Sequence, residues 1–219
     1  MKPKALIPWL VLHSLNLYIY KVNTVIAYSD NVCPFCCIAS RRLERLRQEL
    51  PFVVEWRSFE LHPEVPEAGI SLTQHLGNKE EEVINHIVDY GKDVGLKLNT
   101  RSLYNSHNSL KLNEFALREG KFEAFHKAIF KAYLEDDINI GLLDELLTIA
   151  ESAGLDKERA RSFISSEEAE EIVVNSCRKA QRLGITSVPS FIINRHLIRG
   201  AYPYDILKKL FLQAFSQPA

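Results

Sequence analysis

Hydrophobic positions along the chain follow two different periods. Short apolar runs at residues 25–28 and 52–61 are typical of buried strands, and the pattern at 191–193 and 197–199 predicts a hairpin. Between the first two strands, apolar residues recur at steps of three and four and predict a helix that Pro51 ends. The positions on this helical face are Ala39, Leu43, Leu46 and Leu50. The chain therefore begins in the order strand, helix, strand.

Helical periods dominate the middle of the chain. Helices are predicted over residues 80–95, 108–118, 122–133, 142–153, 158–164 and 167–183, with a last amphipathic helix at 206–214. Gly184 stands where a helix C-cap residue is expected. A strand–helix–strand unit, an all-helical stretch and a hairpin followed by a helix predict an α/β protein. Its central sheet is flanked by helices and is interrupted in sequence by an all-α insertion.

The first strand leads into the segment Cys33-Pro34-Phe35-Cys36, which places Cys33 at the N-terminus of the first helix. Unpaired backbone N–H groups and the helix dipole stabilise a thiolate at such a position. The two-residue gap brings Cys36 within reach one helical turn later, and Pro34 suits the first turn because it lacks an N–H. We expect Cys33 to be the exposed attacking thiol and Cys36 to be the more buried resolving thiol.

A Cys-x-x-Cys pair is found in both zinc sites and redox sites. A structural zinc ion needs a full tetrahedral set of ligands, and this sequence has neither a second such pair nor a nearby His cluster. Together with the strand-to-helix setting, this favours redox chemistry over metal binding. We therefore predict no metal site.

A second signal is the segment 184–193, in which Pro189 directly precedes an apolar strand. Proline is tolerated at the first residue of a strand or at a bulge because it donates no backbone hydrogen bond. Taken alone, the segment is most simply interpreted as an ordinary trans proline that opens a strand.

These two motifs, with the segments 59–63 (Phe-Glu-Leu-His-Pro) and 120–133, resemble the DsbA-like thiol oxidoreductases, FrnE-like branch. The similarity extends over about residues 25–210. The resemblance implies a thioredoxin fold that carries a helical insertion, and an activity of dithiol–disulfide exchange. It assigns Cys33 as the nucleophile, Cys36 as the resolving thiol and Pro189 as the cis-proline that packs against them.

The resemblance also divides the chain. Residues 1–22 form an N-terminal extension, residues 23–65 and 178–219 a thioredoxin-like domain, and residues 66–177 the helical insertion. A cis Pro189 would keep metal from the dithiol and leave the Val188 backbone free to pair with an extended substrate segment. We predict Pro34, Phe35 and Val188 as the substrate-binding residues beside the thiols.

Phe35, Ala27 and Leu110 depart from the patterns of the relatives. Strongly oxidising relatives carry a His at the position of Phe35, so without that positive charge we predict a more reducing couple than theirs. Thioredoxin-like enzymes often have a buried acid six positions before the nucleophile, where this chain has Ala27. Asp30, as a cap or a proton-transfer group, and Glu60 are the remaining candidate acids. Leu110 replaces a His of the insertion, which puts any chemistry of that His in doubt.

Composition and charge place the chain among ordinary globular proteins. Apolar residues make up 46% and charged residues 25% of its 219 residues, which is enough for one large or two small domains. The formal net charge of −1 offers no broad basic surface to nucleic acid, and we expect no membrane partner. Cys37 and Cys177 are expected to be small buried residues, since free cysteine packs as a hydrophobe.

The N-terminal residues allow two interpretations. Lys2 and Lys4 before an apolar stretch give a faint likeness to a signal peptide, but Pro8 and later polar residues interrupt the stretch and no small-residue cleavage site follows. The stretch is also too broken for a transmembrane span. We favour an extension that packs on the domain, or a misassigned start, and with either a cytoplasmic location.

Together these features predict a thiol–disulfide oxidoreductase that needs no cofactor, with a protein disulfide or a small-thiol disulfide such as that of glutathione as its partner. The first alternative is a glutathione-dependent isomerase of the 2-hydroxychromene-2-carboxylate isomerase type. Those enzymes usually have Ser in place of the first Cys and lack the second. The other alternative is a chaperone-like peptide binder without enzymatic activity. The direction of exchange and the oligomeric state stay open.

Overall fold

The fold is built on a mixed β-sheet, seen in a computed structural model that describes residues 22–218. Its strands are β1 (Asn23–Ser29), β2 (Phe52–Ser58), β5 (Ser190–Ile193) and β6 (His196–Arg199), and β3 (Ile70–Ser71) and β4 (Ser102–Leu103) form a separate two-stranded sheet. The larger sheet has the spatial order β2-β1-β5-β6. The interpretations of residues 1–21 as an extension or a signal-like segment fall outside the described residues.

Helices make up most of the rest of the described chain. They are α1 (Pro34–Leu46), α2 (Leu72–Leu76), α3 (Glu80–Tyr90), α4 (His107–Arg118), α5 (Phe122–Phe130), α6 (Leu143–Ser152), α7 (Lys157–Ile164), α8 (Glu167–Arg182) and α9 (Tyr204–Phe215). Short 3-10 turns lie at Gly77–Lys79 and Lys92–Val94, and a π-helical turn continues α5 over Lys131–Glu135. Between residues 22 and 218, no helix has the length and apolar character needed to cross a bilayer.

Strand β1 is the centre of the sheet. It runs parallel to β2, with Ala27 opposite Trp56, and antiparallel to β5, with Ala27 opposite Phe191. The parallel pair is joined through α1, because parallel strands need a crossover connection. Strands β5 and β6 form a hairpin whose turn is Asn194–Arg195. The end of β1 thus lies between its two neighbours, directly before the Cys motif.

The two faces of β1 bury different sets of side chains, as the alternation along a strand requires. Val25 and Ala27 belong to the large core that also holds the apolar faces of α1 and α9. Tyr28 on the opposite face packs with Ala180 of α8, and Ile26 lies against the same cluster. The sheet is therefore covered on both sides, and α1 begins at its carboxyl edge.

The predicted α/β class with a helical insertion is confirmed, but the insertion is not all-α, because β3 and β4 lie within it. Helix α1 ends at Leu46 instead of continuing to residue 50. Residues 47–50 form turns, so Leu50 follows the apolar spacing of the helix but lies outside it. Strand β2 ends at Ser58, short of the predicted residue 61. The sequence pattern predicts neither helix α2 nor the β3–β4 pair, because elements of two to five residues are too short to show a periodic signal. The domain boundaries themselves stay a prediction.

Candidate active site

Cys33 caps helix α1 with its own side chain. Its backbone is extended, with φ −94° and ψ 110°, and its sulfur accepts the backbone N–H of Cys36 at 3.3 Å. Pro34 occupies the first turn, where a missing N–H leaves no bond unmade. The N–H of Cys33 donates to the carbonyl of Asp30 at 3.2 Å, which fixes the turn between β1 and α1. The Cys33 sulfur therefore lies at a helix N-terminus, where negative charge is favoured.

The two thiols differ in depth, but neither is open to solvent. Cys33 is 5% exposed and Cys36 is 1% exposed, and both are free thiols. The order of burial agrees with the expected roles, whereas an exposed Cys33 is not observed. One cause is Val188, whose carbonyl oxygen lies 3.6 Å from the Cys33 sulfur and covers it from the side of the sheet.

The loop before β5 faces Cys33. The Val188–Pro189 peptide bond is cis, Val188 is half-buried and Pro189 is buried. The carbonyl of Pro189 accepts the N–H of Gly200 at 2.8 Å, which ties the loop to the end of β6. The fold thus brings Val188 within hydrogen-bond distance of Cys33 although 155 positions separate them in sequence.

Cys36 lies deeper than Cys33 in the first turn of α1. Burial and the neighbouring Cys33 raise the pKa of Cys36 well above its usual range, whereas the backbone of Asp30 and the hydroxyl of Ser29 act in the opposite direction. Cys36 therefore stays protonated in the resting dithiol. This is the state that a resolving thiol needs before its partner has reacted.

Asp30 is fully buried three residues before Cys33. Burial raises the pKa of its carboxyl to about 6, although the backbone N–H groups of Leu61 and Val32 donate to it at 2.7 and 3.3 Å. Neither donor belongs to α1, whose N-cap is Cys33, so the capping role considered for Asp30 is not observed. The carboxyl instead holds the turn after β1 against the chain that follows β2.

This geometry can be set beside known proteins. The family model of the DSBA-like thioredoxin domain matches residues 24–211. The chain belongs to the DSBA-like thioredoxin family. The uncharacterized protein YwbO of Bacillus subtilis (strain 168) is 28% identical over 186 residues, which are 83% of this chain and 92% of that protein. The assignment to the FrnE-like branch stays a prediction.

Solved structures of the DSBA-like family share the fold. The probable DsbA oxidoreductase SCO1869 from Streptomyces coelicolor superposes with a TM-score of 0.82 at 26% identity, covering 90% of this chain and 92% of that one. The cytosolic disulfide reductase DsbM from Pseudomonas aeruginosa, solved with GSH, superposes with a TM-score of 0.62 at 19% identity. That superposition covers 87% of this chain and 97% of DsbM, and at this identity it shows the fold alone.

Beside the Cys pair, helix α1 contacts helix α3. Phe35 is half-buried and meets the ring of Tyr90 edge-on, with the centroids 5.6 Å apart. Beneath them the Arg42 guanidinium, almost fully buried, donates to the carbonyls of Tyr90, Ala201 and Tyr202 at 2.8, 2.8 and 2.9 Å. One cation thereby joins α1, the end of α3 and the loop after β6 into a single frame around the Cys pair.

Helix α4 is joined to the loop before Cys33 by buried side chains. Asn31 donates to the hydroxyl of Ser109 at 3.0 Å, and Asn113 donates to Asn31 at 3.0 Å. From the π-helical turn, Tyr133 places a buried hydroxyl that donates to the carbonyl of Ser102 at 3.2 Å. Burial raises the pKa of Tyr133, and the charges of Asp30 and Cys33 add to this effect.

The other cysteines and the second candidate acid lie outside the Cys33–Cys36 pair. Cys37 is 2% exposed, and burial raises the pKa of its thiol to about 11, in keeping with a small core residue. Cys177 is half-buried instead of buried, and its sulfur accepts the N–H of Glu60 at 3.4 Å. The Glu60 carboxylate pairs with the Nδ1 of His107 at 3.0 Å.

Ser29, Arg42 and Tyr133 carry no sequence signal that points to the site. Arg42 is one of several arginines whose positions on α1 look solvent-exposed, and Tyr133 falls on the apolar stripe of a predicted helix. Ser29 is one polar residue among several between the first strand and the Cys motif. Their roles depend on tertiary neighbours that no local pattern contains.

Proposed function

We propose that the protein is a dithiol–disulfide oxidoreductase that exchanges disulfides through Cys33 and Cys36. The observation that carries this proposal is the position of the Cys33 sulfur, which caps α1 and accepts the N–H of Cys36 at 3.3 Å. Membership of the DSBA-like family supports it, as does the likeness to the probable DsbA oxidoreductase of Streptomyces coelicolor.

In the reducing direction, the Cys33 thiolate attacks one sulfur of a substrate disulfide. A mixed disulfide forms at Cys33, and the other substrate sulfur leaves as a thiolate that takes up a proton. Cys36 then loses its proton and attacks the Cys33 sulfur, so that the Cys33–Cys36 disulfide forms and the second substrate thiol is released. One electron pair passes from the protein to the substrate. The oxidising direction reverses each step.

The surroundings of the two thiols suit this order of events. The helix N-terminus favours negative charge on Cys33, which is the form that attacks. The neighbouring Cys33 is one of the causes that raise the pKa of Cys36. Once Cys33 is held in a neutral mixed disulfide, that contribution ends, and Cys36 ionises more easily at the moment when its attack is required.

The substrate is a disulfide that reaches Cys33 beside Pro34, Phe35 and Val188. An extended segment pairs with the backbone at Val188 by strand addition, and Pro34 and Phe35 contact the side of the substrate nearest the thiols. Proteins and the oxidised forms of small thiols both contain such disulfides. Because DsbM, which shares this fold, was solved with GSH, glutathione disulfide is the first small substrate to test.

The complete cysteine pair favours this function over the two alternatives. A glutathione-dependent isomerase usually has Ser in place of the first Cys and has no use for the second, whereas both thiols are present here and lie within one helical turn. A chaperone-like peptide binder would need neither sulfur.

The test combines a redox titration with turnover. The protein is equilibrated in glutathione buffers of graded potential, trapped with acid, and the Cys33–Cys36 disulfide is quantified by mass spectrometry; reduction of glutathione disulfide and of insulin is followed in parallel. We expect one redox midpoint and measurable turnover. A Cys33→Ser, Cys36→Ser variant loses both, and Cys37→Ser, which changes the adjacent buried thiol, retains both.

Full turnover in the double variant would refute the proposal. If the wild-type protein shows no turnover while both proteins suppress the aggregation of an unfolded client equally, the chaperone-like alternative replaces it.

A further inference from the structure

Ser29, the last residue of β1, has a buried hydroxyl that stands alone. The residue is 4% exposed, and its Oγ has no hydrogen-bond partner among residues 22–218. Buried polar atoms are nearly always paired, because an unpaired one has given up its bonds to water without replacement. An unpaired hydroxyl next to a pair of thiols therefore calls for a functional explanation.

Ser29 projects from the same face of β1 as Val25 and Ala27, because side chains alternate along a strand, and the core that holds those two residues also holds Cys36. The Ser29 hydroxyl lies close enough to lower the pKa of Cys36, against the larger opposite effects of burial and Cys33. The backbone holds Ser29 in place, since its carbonyl accepts the N–H of Phe59 at 3.0 Å and its partner in the strand register is Ser58. A protonated thiol is a weak acceptor, whereas a thiolate is a strong one. The resting structure thus shows a buried donor without an acceptor, on the side of β1 where Cys36 lies.

We propose that Ser29 is a catalytic residue of the resolving step, in which its hydroxyl donates a hydrogen bond to the Cys36 thiolate as that thiolate attacks the mixed disulfide at Cys33. This inference rests on the proposed oxidoreductase function and names a residue beyond the Cys pair. The bond is made only when Cys36 is ionised, so it stabilises the reacting state more than the resting dithiol, which is the condition for catalysis.

The step balances without a further reactant. The Cys36 proton passes to solvent, and Ser29 keeps its own proton and shares it as a hydrogen bond. The Cys36 thiolate forms the bond to the Cys33 sulfur, the bond between Cys33 and the substrate sulfur breaks, and the substrate leaves as a thiolate with the electron pair. The cysteines are oxidised to the disulfide, and the substrate disulfide is reduced.

Stopped-flow reaction of the reduced protein with one equivalent of Ellman's reagent separates the two attacks. The first release of nitrothiobenzoate reports the attack of Cys33, and the second reports the attack of Cys36 on the mixed disulfide. A Cys37→Ser, Cys177→Ser background leaves only the active-site pair to react, and Cys36→Ser in that background identifies the second phase by removing it.

Two variants of nearly the same shape isolate the hydroxyl. Ser29→Thr keeps it, and Ser29→Val replaces it with a methyl group. We expect Ser29→Val to slow the second phase by roughly tenfold, the effect of losing one hydrogen bond to a charged group, and to shift its pH–rate profile to higher pH. The first phase stays unchanged, and Ser29→Thr behaves like the wild-type protein. Ser58→Ala, which removes the neighbouring strand hydroxyl that donates to Glu114, leaves both phases unchanged.

The outcomes distinguish this inference from the function on which it rests. Equal second-phase rates and pH profiles for Ser29→Val and Ser29→Thr overturn the role of Ser29 and leave the oxidoreductase function intact. A wild-type protein with no second phase overturns the function itself. Circular dichroism checks the fold of each variant, and if Ser29→Val is misfolded, Ser29→Ala takes its place in the comparison with Ser29→Thr.

Discussion

The ring of Phe35 meets the ring of Tyr90 edge-on at 5.6 Å. Phe35 lies between the two cysteines, and Tyr90 is the last residue of α3, so a contact between two aromatic side chains occupies the place where strongly oxidising relatives carry a His. A cation at this place would stabilise the thiolate and with it the reduced protein. Without such a cation, the disulfide form is relatively more stable and the reduction potential of the Cys33–Cys36 couple is lower.

We expect the Cys33–Cys36 couple to have a potential clearly more negative than about −120 mV, the value of the strongly oxidising relative. Phe35→His should move the potential in the positive direction by roughly 30 mV, because the imidazolium favours the thiolate. Titration against glutathione buffers measures both values. Phe35→Leu is the control that removes the ring without adding charge. A wild-type value near −120 mV, or the same shift in both variants, would contradict the argument.

Arg42 gives a prediction about the frame around the thiols. Its guanidinium donates to three backbone carbonyls and to the Asp93 carboxylate, so Arg42→Met leaves all four acceptors without this donor. We expect the free energy of unfolding in urea to fall by about 3 kcal/mol. Arg45→Met is the control: Arg45 lies exposed over the ring of Tyr204, and its loss should cost about 1 kcal/mol or less. An equal decrease in the free energy of unfolding of the two variants would show that the buried hydrogen bonds of Arg42 contribute no more to stability than the exposed contact of Arg45.

The same arginine shows where prediction from sequence ends. The buried face of α1 can be predicted from the sequence because its apolar residues repeat at helical spacing. The Cys motif can be recognised because its two cysteines are about one helical turn apart. Arg42 cannot be told from Arg41 or Arg45 by any local pattern. What separates it is the set of carbonyls at the end of α3 and after β6, which only the tertiary fold brings to it. Ser29 is hidden for the same reason, since its neighbour Cys36 belongs to the next element.

Asp30 predicts a dependence of stability on pH in the acid range. Burial raises the pKa of this carboxyl from 3.8 to about 6, so its ionisation is less favourable in the folded than in the unfolded protein. The destabilisation caused by ionising the buried Asp30 is absent below pH about 4, grows as the pH rises to about 6, and is fully present above that. It amounts to about 3 kcal/mol at neutral pH, because one pKa unit corresponds to about 1.4 kcal/mol.

Asp30→Asn should abolish this decline between pH 4 and 6. At pH 7.5 we expect the variant to be more stable than the wild-type protein, by less than the full amount because the weaker bond from Val32 is lost. Urea unfolding at pH 4, 6 and 7.5 provides the free energies. Asp89→Asn, a change at an exposed position, should leave the pH dependence as it is. A variant that tracks the wild-type protein at all three values would rule out a buried ionisable Asp30.

His107 predicts a second loss of stability as the pH rises, in a higher pH range and from a stabilising ion pair instead of a buried charge. Its Nδ1 lies 3.0 Å from the Glu60 carboxylate and its Nε2 lies 2.8 Å from the Glu170 carboxylate, which Lys111 also contacts. Two carboxylate acceptors require both ring nitrogens to carry protons, as in the imidazolium. The hydrogen bond to Glu60 is the main cause that raises the pKa of His107, burial opposes it, and Glu170 adds to it.

Because the folded pKa of His107 lies above its unfolded value of about 6.5, its contribution to stability is complete below that pH and is lost as the pH rises through the folded pKa. We expect His107→Gln to reduce the free energy of unfolding by roughly 1 kcal/mol at pH 6 and by much less at pH 9. The quantity to follow is the difference between the wild-type protein and the variant, measured in urea at both values. His196→Gln, at an exposed position on β6, serves as the matched control and should show no such change. A difference for His107→Gln that stays constant or grows toward pH 9 would mean that the bridge between Glu60 and Glu170 does not depend on a protonated ring.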